Sequence, residues 1–236
     1  MKNAILILRS WLPVFSFALL LPLFSCSKKN MNPATPSDPS AKTYLALGDS
    51  YTIGQSVSEA DRFPNQTVSL LRNKGVSIQD PRIIATTGWT TRNLLDAMDA
   101  AALKDNYDVV SLLIGVNNQY QGKSIEEYKT EFALLLTRAI QYGGNKPTHV
   151  FVLSIPDYSV TPFAAGSDRA KIASEIDQFN AVNKSIAIQM GVNYIDITPI
   201  SREPDPSLIA NDGLHPSGKQ YKKWADLLSA AMKPVL

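Results

Sequence analysis

From about Thr43 onward, short apolar runs alternate with segments whose apolar residues recur every three or four positions. Strands of a parallel sheet covered on both faces read as continuous apolar runs, while the covering helices show a single apolar stripe. Five runs are expected as strands: Tyr44 to Leu47, Arg82 to Ala85, Val109 to Ile114, Val150 to Ile155 and Tyr194 to Ile197. Helical spacing joins Leu94, Leu95 and Met98 after the second run, and Tyr128, Phe132, Leu135, Leu136 and Ile140 after the third. It recurs in Ile172, Ile176, Phe179, Ile186 and Met190 before the fifth run, and in Tyr221, Trp224 and Leu228 at the end. Ser124 and Glu127 have capping-box spacing at the start of the helix between the third and fourth runs. The pattern predicts one three-layer α/β/α domain over residues 43–236, with no internal repeat.

The first 42 residues follow a different rule. Lys2 and Arg9 precede an apolar run from Trp11 to Phe24, interrupted by Pro13 and Pro22 and too short for a comfortable membrane span, so residues 1–25 read as a secretory signal. Leu23-Phe24-Ser25-Cys26 resembles the lipobox of bacterial lipoproteins, which implies lipidation of Cys26 and a membrane as partner through it. An ordinary signal peptide, or an uncleaved anchor, is the alternative. Residues 26–42 are Ser, Pro, Asn and Lys with almost nothing to bury, the composition of a flexible tether. Its reach is on the order of 20 Å, enough to hold a domain just clear of a membrane. The expected location is the cell envelope, after export.

Charge changes the choice of partner. The chain has 23 Lys and Arg against 21 Asp and Glu, but Lys2 and Arg9 leave with the signal, so the remainder is neutral. A neutral domain lacks the positive field that holds polyanions, and nucleic acid is not expected as a partner. One cysteine excludes an intrachain disulfide, and a single globular domain of this kind is expected as a monomer.

Candidate chemistry gathers where an open parallel sheet places it, beyond the carboxyl ends of the strands. The first strand runs into Gly48-Asp49-Ser50, the second into Thr86-Thr87-Gly88-Trp89 and the third into Gly115-Val116-Asn117-Asn118. Asp212-Gly213-Leu214-His215 follows the fifth. A serine hydroxyl becomes a nucleophile when a base takes its proton, and a carboxylate must hold an imidazole base in the right tautomer. Of the two histidines, His149 directly precedes a strand and belongs at its amino end, away from the site. His215 lies three residues after Asp212 in a turn that presents both side chains together. The tetrahedral intermediate also needs fixed donors for its oxyanion. The Ser50 and Gly88 N–H groups and the Asn117 amide are candidates, although Gly88 could serve only to turn the chain and Asn117 only to cap a loop. Asp49 reads as a brace for the Ser50 turn.

Gly48-Asp49-Ser50, Gly88, Gly115-x-Asn117 and Asp212-x-x-His215, in this order and spanning Tyr44 to Leu228, resemble the four blocks of the SGNH hydrolase (GDSL-like lipase/esterase) superfamily. The resemblance implies Ser50 as nucleophile, His215 as base, Asp212 as its partner, and Ser50, Gly88 and Asn117 as oxyanion donors. It further implies a flavodoxin-like five-stranded sheet of order 2-1-3-4-5, no metal and no other cofactor. One departure is Asn118, where the third block often carries Asp.

A phosphate-binding loop is excluded at Gly48 to Gly54 by the lack of Gly-x-x-x-x-Gly-Lys or Gly-x-Gly-x-x-Gly, and two distant histidines do not make a metal site. An acyltransferase, a lysophospholipase or thioesterase on the same site, and a glycan-binding surface lipoprotein remain as alternatives to an esterase. Expected pocket walls are Tyr51, Trp89, Asn118 and Tyr120, with Tyr158 and Phe163 from the stretch Pro156 to Asp168. These aromatics suit a small acyl group on a larger, carbohydrate-like alcohol, or simple loop packing.

Overall fold

The computed structural model describes residues 40–236; the expected signal, Cys26 and nearly all of the expected tether lie outside the described residues. Five parallel strands, β1 (Tyr44–Gly48), β2 (Arg82–Ala85), β3 (Val109–Leu113), β4 (Val150–Leu153) and β5 (Asn193–Ile195), pair in the order β2-β1-β3-β4-β5. Helices are α1 (Ser50–Ile53), α2 (Phe63–Asn73), α3 (Thr91–Ala100), α4 (Val116–Tyr120), α5 (Ile125–Tyr142), α6 (Arg169–Gln189), α7 (Thr198–Ser201) and α8 (Gly218–Met232). The three central strands are buried at every residue, because α3, α5 and α6 pack side by side while α2 and α8 pack together, covering the sheet on both sides. Among the described residues no helix is long and apolar enough to cross a membrane.

The second run matches its strand and β1 extends one residue further than expected, to Gly48. The last three runs overshoot their strands at the carboxyl end, and β5 begins one residue early, at Asn193. Ile155 and Ile197 are buried but leave the ladder, since side chains take over their backbone groups: Ile155 N–H donates to Asn180 Oδ1 at 2.7 Å, and Ile197 N–H to Ser154 Oγ at 2.8 Å. Lys42, placed in the tether by composition, is tied to the domain; its N–H donates to the Ser77 carbonyl at 2.8 Å and its Nζ to Asp108 at 3.1 Å. At α5 only half of the expected capping box forms. Ser124 Oγ accepts the Glu127 N–H at 3.1 Å, but the Glu127 carboxylate turns to Lys123 at 3.3 Å. The complete box lies at α3, between Thr90 and Asn93.

The sequence pattern did not predict α2. Its buried stripe, Phe63, Thr67, Val68 and Leu71, has helical spacing but includes a polar residue, and Pro64 reads as a breaker. Pro64 occupies the first turn, where a missing N–H breaks no helical bond, and Thr67 returns its hydroxyl to the Phe63 carbonyl at 2.8 Å. The stripe meets α8, where Phe63 lies 6.2 Å from Tyr221 and 6.1 Å from Trp224, ring centre to ring centre.

Candidate active site

β1 ends against a tight turn. A Cβ on Gly48 would stand 2.1 Å from Thr52 Oγ1 and 2.4 Å from the Leu113 carbonyl oxygen, so only glycine lets the chain swing from the sheet into α1. Asp49 caps that helix by accepting the Tyr51 N–H at 3.0 Å. It is 1% exposed, and burial pushes its carboxyl up to about 7 against the opposing hydrogen bonds from Tyr51 and from its own backbone. Ser50, next in line, is the first helical residue and faces a cavity.

The turn from Asp212 to His215 forms around one carboxylate. Asp212 Oδ1 accepts the N–H groups of Leu214 and His215, both at 2.9 Å. Asp212 Oδ2 accepts His215 Nδ1 at 2.7 Å and Ser56 Oγ at 2.5 Å. An ionised carboxylate only accepts, so Nδ1 carries the proton and Nε2 is the basic nitrogen of the neutral ring. Partial burial raises the Asp212 pKa, but the four hydrogen bonds from Ser56, Leu214 and His215 outweigh it and hold the carboxyl well below the usual range. The His215 ring is almost buried and meets Tyr51 edge-on, 5.5 Å between centres.

Ser50, Gly88, Asn117 and His215 line one cavity of about 150 Å³. Gly88 turns with φ +85°, a conformation that favours glycine and that brings the end of β2 to the cavity edge. Asn117, on α4, gives one amide hydrogen to the Trp89 carbonyl at 3.0 Å, which orients the amide and leaves its second hydrogen for the cavity. The outer wall is aromatic: Tyr120, Tyr158 and Phe163 lie 6.0 to 6.3 Å apart, with Tyr120 60% and Phe163 46% exposed. Phe163 N–H donates to the Gly213 carbonyl at 2.9 Å, tying this rim to the turn that carries His215. Among the described residues, no three His, Cys, Asp or Glu side chains are grouped so as to hold a metal ion.

The profile of the GDSL-like Lipase/Acylhydrolase family matches residues 46–223. The chain belongs to this family. It is therefore an ester hydrolase of the GDSL (SGNH) type. No curated protein matches the chain. Solved structures with a similar fold include TesA (17% identity, 83% of this chain and 100% of that one, TM-score 0.65) and the family 3 carbohydrate esterase of Clostridium thermocellum (24%, 80% and 94%, 0.64). Another is the acetylxylan esterase Axe2 of Geobacillus stearothermophilus (19%, 82% and 94%, 0.62).

Within this GDSL domain the expected site residues divide into two groups. Ser50, Gly88, Asn117, His215, Tyr51 and Tyr120 face the cavity, with Asp212 behind His215. Trp89 and Asn118 are not in its wall. Asn118 is fully buried, accepting the Thr91 N–H at 3.0 Å and donating to Thr91 Oγ1 at 2.7 Å, so it fastens α4 to the start of α3. The Trp89 ring packs on the core and contributes its carbonyl to Asn117. His149 lies at the amino end of β4, its Nδ1 2.7 Å from the Asp108 carbonyl oxygen. Ser56 escaped the sequence reading, since nothing in a Gly-Gln-Ser loop points to a residue 156 positions away.

Proposed function

We propose that the chain is an exported, lipid-anchored serine esterase that removes a short acyl group from a carbohydrate-like alcohol through an acyl-enzyme on Ser50. The observation that carries this reading is the convergence of Ser50, Gly88, Asn117 and His215 on one small cavity, with Asp212 bonded to His215. His215 Nε2 takes the Ser50 hydroxyl proton as Oγ bonds to the ester carbonyl carbon. The carbonyl oxygen, now an oxyanion, receives the Ser50 and Gly88 N–H groups and the free Asn117 hydrogen. The intermediate collapses, the carbon–oxygen bond to the alcohol breaks, and His215 returns the proton to the leaving oxygen. Water, deprotonated by the same nitrogen, then releases the acid and regenerates Ser50.

Size supports the short acyl group. A cavity of about 150 Å³ is well below the roughly 300 Å³ at which pockets for drug-sized ligands begin. The proton donor marks the alcohol side, and there the Phe163 segment is bonded to the turn of His215, so exposed aromatic faces lie where the alcohol leaves. The names of two structures of similar fold, a carbohydrate esterase and an acetylxylan esterase, agree with a sugar alcohol. Export and anchoring are supported by Lys2, Arg9, the apolar run Trp11 to Phe24 and Cys26.

Ser50→Ala should lower hydrolysis of p-nitrophenyl acetate by about a thousandfold or more and abolish fluorophosphonate labelling. Labelling that survives in this variant places the nucleophile elsewhere. Along a series of p-nitrophenyl esters, kcat/KM should fall steeply beyond butanoate, with acetylated sugars turned over and lysophospholipids not. Undiminished octanoate hydrolysis rules out the short-acyl reading.

A further inference from the structure

Ser56 follows α1 with φ +67°, a left-handed backbone that residues with a Cβ rarely adopt and that persists only where its surroundings hold it. Its hydroxyl donates to Asp212 Oδ2 at 2.5 Å, the same oxygen that accepts the His215 ring. One residue earlier, Gln55 Oε1 accepts Thr87 Oγ1 at 2.8 Å, beside Gly88. The loop that leaves the Ser50 helix is therefore tied to the turn from Asp212 to His215 and to the Gly88 loop, two segments that reach the cavity from other strands.

We propose that Ser56 is a positioning residue: its hydroxyl holds the Asp212–His215 pair in register with Ser50 and shares the negative charge of Asp212. The inference rests on the roles assigned to Ser50, Asp212 and His215 above. Asp212 Oδ1 is held by backbone N–H groups of its own turn, which fix the carboxylate within that turn but not relative to the nucleophile. Ser56 supplies the bond across. Nucleophilic attack needs the reacting atoms aligned to within fractions of an ångström, so slack between the two segments slows chemistry more than binding. Charge is the second effect. With one of two donors removed from Oδ2, the remaining oxygen charge falls on the ring N–H, the imidazolium is favoured, and the base is lost at a higher pH. Other titratable groups beside the pair are Tyr51 and Tyr221, which both feel the Asp212 charge, and Asp157 and Tyr158, which line a pocket together with His215; Asp49 and Arg62 act one step further out, on Tyr51 and Tyr221.

Ser56→Ala and Ser56→Gly separate the hydroxyl from the backbone. Both delete the bond, but glycine also relieves the left-handed φ and should keep or raise Tm. Both should lower kcat for p-nitrophenyl acetate about five- to tenfold with KM unchanged. The acid limb of kcat/KM should move up by roughly half a pH unit, the scale of one partly exposed hydrogen bond to a carboxylate. The low-field proton resonance of the His215 Nδ1–H should move further downfield in both, with His149, the other histidine, as internal reference. Wild-type kcat, acid limb and resonance in Ser56→Gly would reduce Ser56 to a turn residue and overturn the proposal, as would a loss confined to Ser56→Ala that follows Tm. Ser50→Ala assayed in parallel keeps the two readings apart. Activity surviving there removes the site assignment and this inference with it, whereas Ser50-dependent activity indifferent to Ser56 removes this inference alone.

Discussion

Asp49 holds the Tyr51 N–H with Oδ1, while its Oδ2 has no hydrogen-bond partner among the described residues. With its folded pKa raised to about 7 from an unfolded value near 4, its contribution to stability is fully present below about pH 4 and is lost as the pH rises through 7. Asp49→Asn removes that titration. Its Tm relative to wild type should rise by about 5 °C between pH 5 and pH 8, measured by calorimetry; a constant difference would show Asp49 ionised at both values. Asp212 runs the other way. Its depressed pKa contributes stability above about pH 4 that is lost only as the pH falls through the folded value. Asn117 makes a kinetic test. If Asn117 has the proposed role, Asn117→Ala should lower kcat about a hundredfold with little change in KM, because a donor aimed at the oxyanion acts in the transition state. An equal rise in KM would make it a substrate-binding group instead.

The α2–α8 pair reaches the site through a chain of rings. Trp224 is fully buried, 5.1 Å from Tyr221, 6.1 Å from Phe63 and 6.2 Å from Tyr51, which in turn meets His215. Trp224→Ala should destabilise the domain by about 3–5 kcal/mol in urea unfolding, since surrounding rings cannot collapse into so large a void. A loss under about 1 kcal/mol would show that α2 and α8 repack freely. The stripe of α8 was legible in the sequence because Tyr221, Trp224 and Leu228 are all apolar. That of α2 was not, because Thr67 takes a core position by returning its hydroxyl to its own helix. Strand ends misled for a related reason: apolarity reports burial, while Asn180 and Ser154 decide where the ladder stops.

For the whole molecule, parallel order places the carboxyl ends of all five strands on one edge, and the polar clusters after β1, β2, β3 and β5 gather there. The proposed anchoring belongs to this scale too, since a lipid anchor would decide which substrates the cavity meets. If Cys26 is lipidated, the full-length protein enters the detergent phase on phase separation and Cys26→Ser moves to the aqueous phase; unchanged partitioning would reject lipidation. The opposition between the cavity edge and the other end of the sheet was legible in advance for the histidines, because His149 precedes its strand and His215 follows one.

By itself, the amino-acid sequence determined the layers and, through its family motifs, the strand order, and it put forward Ser50, Gly88, Asn117, Asp212 and His215 as one candidate group. Apolar periodicity and short functional blocks are local properties that a linear reading captures. Tertiary structure alone decided that Asn118 spends its amide on Thr91 and stays out of the cavity wall, and that Trp89 lends a carbonyl. It also decided that Tyr120, Tyr158 and Phe163 form one rim, and that Ser56 reaches Asp212. Each of these depends on the direction a side chain takes across segments far apart in the chain, and direction is set by packing.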